Sequence, residues 1–184
     1  FDFSTYYALS GALKTNNFTN LKNSFTGAMN GLAGQIGYAE KAVTFVDNHD
    51  TFVKTEAILG NNIPKAYAYI LTHPGIPCVF APHYYGGSYA KGGVTRNYSS
   101  GYAAAINKLM IARKTAGIDA WSSVTIDQSG AGLYAAYIKK RSSDTDPVIA
   151  MKIGSNSWSP FGTGWVSVAS GTDYEVWLKT AINV

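Results

Sequence analysis

One change of pattern at Gly117 constrains the fold more than any other feature of this chain. Before it, short β-prone runs alternate with helical stretches, which is how a parallel sheet with crossover helices is written in sequence. After it, only strand-like segments occur, separated by turns containing Gly or Asp. In the first regime Phe1-Asp2-Phe3 reads as a strand end entering a helix, with Ser4 as N-cap for a helix over Tyr6 to Leu13. Asn16 to Gly37 is rich in Asn and Gly and mixes loop with short helix. Ala42 to Val46 is a nearly all-apolar strand, as expected where both faces are covered. Pro64 opens a helix through Tyr67 and Leu71, Pro74-Gly75 ends it, and Ile76 to Phe80 is the next strand. Gly101 to Ala116 forms a long helix presenting Tyr102, Ile106, Leu109, Met110 and Arg113 on one face, and Gly117 stops it.

The second regime predicts five antiparallel strands, at 123–126, 132–139, 147–153, 165–169 and 174–179. The domain reading is therefore 1–118 for the α/β part and 119–184 for a small β domain, linked by about 117–123. Three parallel strands, apolar on both faces, cannot bury themselves. The first part is expected to assemble with something else, and the protein is expected to extend upstream of Phe1.

Composition narrows the function classes. Apolar residues make up 46% and charged residues 14% of 184, so the chain is globular. The net charge of +4 is scattered, with its densest run at Lys139-Lys140-Arg141 beside a turn, so no nucleic-acid partner is expected. No apolar run is long enough for a membrane span. The single cysteine, Cys78, excludes a disulfide within the chain and is expected to be buried and inert in its apolar run. The 14% of aromatics, Tyr and Trp foremost, suits a surface for sugar rings and equally a plain β-domain core.

Phe45-Val46-Asp47-Asn48-His49-Asp50 is the strongest local signal: two carboxylates, an amide and an imidazole directly after a buried parallel strand. In barrel enzymes the carboxyl ends of the strands form the rim on which active sites are built. On pattern alone the same residues also serve as a helix cap or turn, with His49 incidental. His49, His73 and His83 lack the spacing of zinc ligands. Asn17-Phe18-Thr19 and Asn97-Tyr98-Ser99 match the glycosylation sequon.

The hexapeptide resembles the fourth conserved region of the α-amylase family (glycoside hydrolase family 13). Tyr67 through Phe80 is similar to the seventh-helix and eighth-strand segment of plant and archaeal-type members, Phe1-Asp2-Phe3 to the sixth strand, and Asp173 to Trp177 to the closing strand of the C-terminal domain. The resemblance implies the last part of a (β/α)8 TIM barrel followed by an antiparallel five-stranded β domain. It implies retaining hydrolysis of internal α-1,4-glucosidic bonds in starch-like glucans, between a nucleophile and an acid about 5–5.5 Å apart. Asp50 would be the acidic residue that stabilises the transition state, and His49 would hydrogen-bond the same sugar. Asn48 would shape the turn, and Asp47 receives no role. The nucleophile and acid/base would lie upstream in the missing N-terminal part of the same barrel, so the segment alone is expected to be inactive. Ca²⁺ is implied for the whole enzyme, with no ligands identified here, and so is secretion. One departure stands out: Phe80-Ala81-Pro82-His83 replaces the family's Phe-Tyr-Asp-His.

In the β domain, Trp158 lies in a Ser/Gly/Pro-rich loop and is either a platform for a glucan or a lid on the core; Trp165 is assigned to the core by alternation. The competing functions are a carbohydrate-binding module using Trp158, Phe161 and Trp165, and a purely structural β domain.

Overall fold

A computed structural model describes residues 1–98 and 100–180. Helix α1 (Phe3–Thr15) opens the chain, and its N-cap is Asp2 rather than Ser4. The Asp2 carboxylate accepts from Thr5 N at 2.9 Å, Thr5 Oγ1 at 2.6 Å and Ala33 N at 2.9 Å. No strand forms at residues 1–3. Only one ladder-like bond, Asp2 N to Val43 O at 2.8 Å, ties this end to its neighbour, and the helix claims the chain from Phe3 onward.

Strand β1 (Val43–Phe45) and strand β2 (Ile76–Cys78) are parallel, in the register Val43–Ile76, Thr44–Pro77, Phe45–Cys78. Helix α2 (Asn62–Thr72) connects them, as a parallel pair requires. Its Pro64 is the third residue, not the first, because Asn62 and Ile63 precede it inside the helix. Ile63 and Lys65 to Thr72 are all buried, so α2 is an interior helix covered on every side. The free edge of β2 is open: Ile76 is 47% exposed and Cys78 is exposed, not buried as its apolar run suggested. An apolar run buries its side chains only where another strand covers it, and none does on that side among the described residues.

Two elements after β2 were not foreseen. Helix α3 (Ala81–Tyr85) leads into a hairpin of β3 (Gly87–Lys91) and β4 (Val94–Tyr98), turning at Gly92-Gly93, which sit at φ 58° and 78°. Glycine pairs with positive φ at both positions are what a tight two-residue hairpin needs. Ser99, which completes the second sequon, lies outside the described residues. Helix α4 (Ala103–Ala116) ends at Gly117, left-handed at φ 67°, as expected. Ile106, Leu109, Ala112 and Ala116 form its buried face, whereas Met110 is 37% exposed.

The second regime folds as predicted in number and direction. Strands β5 (Ser123–Gly130), β6 (Leu133–Lys139), β7 (Ile149–Ile153), β8 (Trp165–Gly171) and β9 (Tyr174–Lys179) form one antiparallel sheet in the order β5-β6-β7-β9-β8. Alternation sends Tyr134, Ala136, Ile138, Ile149, Met151, Ile153, Tyr174 and Val176 inward, each at most 5% exposed. This face packs on α2 and α4. A bulge between Ser167 and Ala169 breaks the alternation of β8. Ala169 therefore turns inward while Trp165, paired with Lys179, stays half-buried on the outer face, correcting its assignment to the core.

Polar contacts join the two parts. Buried His73, at the end of α2, meets Tyr134 Oη through Nε2 at 2.8 Å and stacks on Tyr69 at 4.1 Å. Burial pushes the His73 imidazole down to about 3, so it packs as a neutral ring. Lys65 reaches Asp173 at 3.3 Å in the β8–β9 turn. Gly154 is required where β7 ends: a Cβ there would lie 2.4 Å from Gly132 O.

Candidate functional site

Beyond the carboxyl end of β1 the chain separates two carboxylates by environment. Asp47 is 2% exposed, and it accepts from Tyr6 Oη at 3.2 Å, Thr51 Oγ1 at 2.9 Å and Ile58 N at 3.0 Å. Burial raises its pKa to about 6, against the pull of those donors. The buried His83 lies 3.7 Å away through Nε2, and its Nδ1 meets Tyr67 Oη at 3.3 Å. Burial holds His83 at about 3, so the contact is a carboxylate beside a neutral imidazole, not a salt bridge. His83 Nε2 has no hydrogen-bond partner among the described residues.

Asn48 then folds the next turn. Its Oδ1 accepts from Asp50 N at 2.8 Å and Thr51 N at 3.0 Å, while its own N–H donates to Thr51 Oγ1 at 2.9 Å. This is the side-chain turn that Asn favours, since its short amide mimics a backbone carbonyl. The turn pushes the next two side chains outward: His49 is 80% and Asp50 62% exposed. The two stand together, Nε2 to Oδ2 at 3.3 Å. Lys91, at the tip of the β3–β4 hairpin, donates to Asp50 Oδ1 at 2.6 Å and to His49 O at 2.9 Å. That lysine, and then His49, hold the Asp50 carboxyl below its ordinary range. The site thus presents an ionised carboxylate, an imidazole and an ammonium on an open surface.

Trp158 is not part of this constellation. It lies half-buried on the outer face of the five-stranded sheet, between Tyr137 (5.5 Å, edge-on) and Trp177 (5.7 Å, edge-on). Its Nε1 donates to Asp127 at 2.8 Å. Tyr137, Ala150 and Trp177 are register partners across β6, β7 and β9, so the indole covers the small residue between two large ones. Phe161, in the same loop, is 91% exposed.

Sequence reasoning gave Asp47 no role, set His83 aside as a zinc ligand and did not single out Lys91. For Lys91 a signal existed: Gly92-Gly93 between two runs rich in Tyr, Thr and Val announces a hairpin. For the Asp47–His83 pair there was none, since they are far apart in sequence. A cleft of about 460 Å³ is lined by Ile36, Glu40, Trp121 and Arg141, and touches none of the residues around Asp50. Among the described residues no three His, Cys, Asp or Glu side chains gather as metal ligands would, so no Ca²⁺ site is assigned within this segment.

Comparison with known proteins places these features. The family model for the "Alpha-amylase C-terminal beta-sheet domain" matches residues 115–178, which span the end of α4 and the sheet through β9. "Probable alpha-amylase 2" of Arabidopsis thaliana is 36% identical over 182 residues, covering 97% of this chain and 38% of that protein. "Alpha-amylase 3, chloroplastic" of the same plant is 32% identical over 187 residues, covering 96% of this chain and 18% of that protein. The "Alpha-amylase type B isozyme" of Hordeum vulgare is 33% identical over 143 residues, 76% of this chain and 80% of that sequence. The chain therefore spans well under half of the two Arabidopsis relatives while being matched over nearly its whole length. Identity above 30% that runs through both the helical part and the five-stranded sheet shows that this chain belongs to the α-amylase family.

Proposed function

We propose that this chain is the C-terminal portion of an α-amylase that hydrolyses internal α-1,4-glucosidic bonds in starch-like glucans with retention of configuration. Residues 1–118 supply the last part of its (β/α)8 barrel, and residues from 119 onward its β domain. The observation that carries this reading is the pair His49 and Asp50, exposed side by side just beyond the carboxyl end of a parallel strand. That is where barrel enzymes assemble their chemistry. The open edge of β2 and the exposed Phe1 and Ile76 support a partner in the missing N-terminal part of the same barrel.

In this reading the nucleophile and the acid/base come from that missing part. Asp50 contributes a fixed negative charge where the sugar ring becomes oxocarbenium-like, and fixed charge is most effective when it is already in place before the reaction. His49 hydrogen-bonds a hydroxyl of the same sugar. Asp47 anchors the turn from below through three donors and touches no substrate. A secreted location belongs to the proposal as well, although one relative is described as chloroplastic. No helix among the described residues is long and apolar enough to cross a membrane.

The test uses the complete protein. Soluble starch should be cut internally, and the freshly released reducing ends should be α-anomers when followed by NMR. Initial release of β-anomers, or no action on starch, would overturn the reading.

A second reading concerns Trp158. Its half-exposed ring and the neighbouring exposed Phe161 favour a glucan contact on the outer face of the β domain. Trp158→Ala in the complete protein should then weaken adsorption to insoluble starch several-fold and leave activity on a short soluble oligosaccharide intact. Unchanged adsorption, or a general loss of stability, would leave the indole as a lid over Ala150 and nothing more.

A further inference from the structure

A lone two-stranded hairpin is marginal in water, so one that keeps a defined position must be held by its contacts. The β3–β4 hairpin has few apolar ones. All of β3 is exposed, and only Tyr98 of β4 is buried, its ring edge-on to His83 at 4.8 Å. Among the described residues the remaining anchors are two cations, and both land on the segment that carries Asp50. Arg96 donates through Nε to Phe52 O at 3.0 Å and through Nη2 to Lys54 O at 3.3 Å. Lys91, at the tip, spans His49 O and Asp50 Oδ1. The hairpin base is equally fixed, since a Cβ on Gly86 would lie 2.6 Å from Tyr98 O and from Gly101 N.

We infer that the β3–β4 hairpin is a clamp built onto the sugar site and that Lys91 is the positioning residue for Asp50. The inference rests on the proposed role of Asp50. An exposed carboxylate on a loop would otherwise sample several rotamers, each with a different approach to the sugar. A single ammonium bonded both to that carboxylate and to the preceding carbonyl selects one of them. It also keeps the carboxylate ionised; the other charged groups facing Asp50 are His49 and Lys54, both on its own loop. An ammonium has three hydrogens, and two acceptors are present among the described residues, so one hydrogen remains for a sugar hydroxyl. The hairpin thereby gives the site a third polar group that comes from neither the turn nor the strand.

The sign of the pH effect follows from the contact. Lys91 lowers the Asp50 pKa, so activity that needs the carboxylate persists to lower pH than it would alone. In the complete protein, Lys91→Met should lower kcat by about 3–10-fold, the size expected for one solvent-screened charged hydrogen bond. KM should change less, and the acid limb of the kcat profile should move to higher pH. Lys91→Arg should recover most of the rate. Placed in an Asp50→Asn background, Lys91→Met should cost clearly less, because the carboxylate that it positions is already gone. Wild-type kcat with an unmoved acid limb in Lys91→Met would overturn the inference, as would the same fractional loss in both backgrounds. An Asp50→Asn protein that hydrolyses starch normally would instead remove the catalytic reading of Asp50, and this inference with it.

Discussion

Asp50→Asn in the complete protein is expected to reduce kcat on α-1,4-glucan by about 10³–10⁵-fold while leaving the fold and the melting temperature unchanged. The kinetic loss is large because Asn keeps the shape and removes the charge that a developing oxocarbenium ion needs. The fold should not notice, since the side chain is 62% exposed and, among the described residues, its carboxylate contacts only Lys91 and His49, both of them also exposed. Asp47, three residues earlier, is the internal control. It accepts from three donors at 2% exposure, so an amide nitrogen placed there would face a donor. Asp47→Asn should therefore cost about 1–3 kcal/mol of stability, and lose activity only as far as the turn is displaced. Steady-state kinetics with thermal melts on both variants separate the two cases. Near-normal turnover in Asp50→Asn would withdraw the catalytic assignment.

The largest stability effect is expected at Arg113. From α4 its guanidinium donates through Nη1 to Leu71 O at 3.1 Å and His73 O at 2.7 Å, and through Nη2 to Gly75 O at 2.9 Å. These carbonyls belong to the last turn of α2 and the bend into β2, where the helix has no N–H of its own to offer. One planar fork thus closes the helix end, shapes the bend and joins α4 to the βαβ unit. Arg113→Ala leaves three carbonyls without that donor, at a cost of about 3–5 kcal/mol. For a chain of this size each kcal/mol shifts Tm by about 2–4 °C, so a fall on the order of 10 °C is expected by calorimetry. Arg113→Lys should recover only part, because a single ammonium cannot span the same acceptors in a plane. A melting temperature within a degree or two of wild type in Arg113→Ala would show that the fork carries no stability.

The sequence by itself determined whatever depends on neighbours along the chain. Gly117 stops α4 because a left-handed residue ends a helix wherever it stands. The five strands of the β domain were legible from period-two alternation and Gly- or Asp-containing turns, and the parallel pair β1–β2 from the helix between two short apolar runs. The prominence of His49 and Asp50 was legible too, since four polar residues follow a buried strand. Tertiary structure decided the rest, because burial and polar partnership depend on what arrives from elsewhere. Asp2 became the cap of α1 through Ala33 as well as Thr5, and Cys78 stayed exposed because no strand covers that edge. Trp165 moved to the outer face through one bulge, which a period-two pattern cannot register. Most consequentially, two aspartates three residues apart received opposite environments. Asp47 met Tyr6, Ile58 and His83 from distant segments and was sealed away with its pKa raised, whereas Asp50 met the adjacent His49 and a lysine at a hairpin tip and stayed ionised in the open. The difference between a buried anchor and an exposed, ionised carboxylate was set by the groups that folding brought around each one, and most of those groups are remote in the chain.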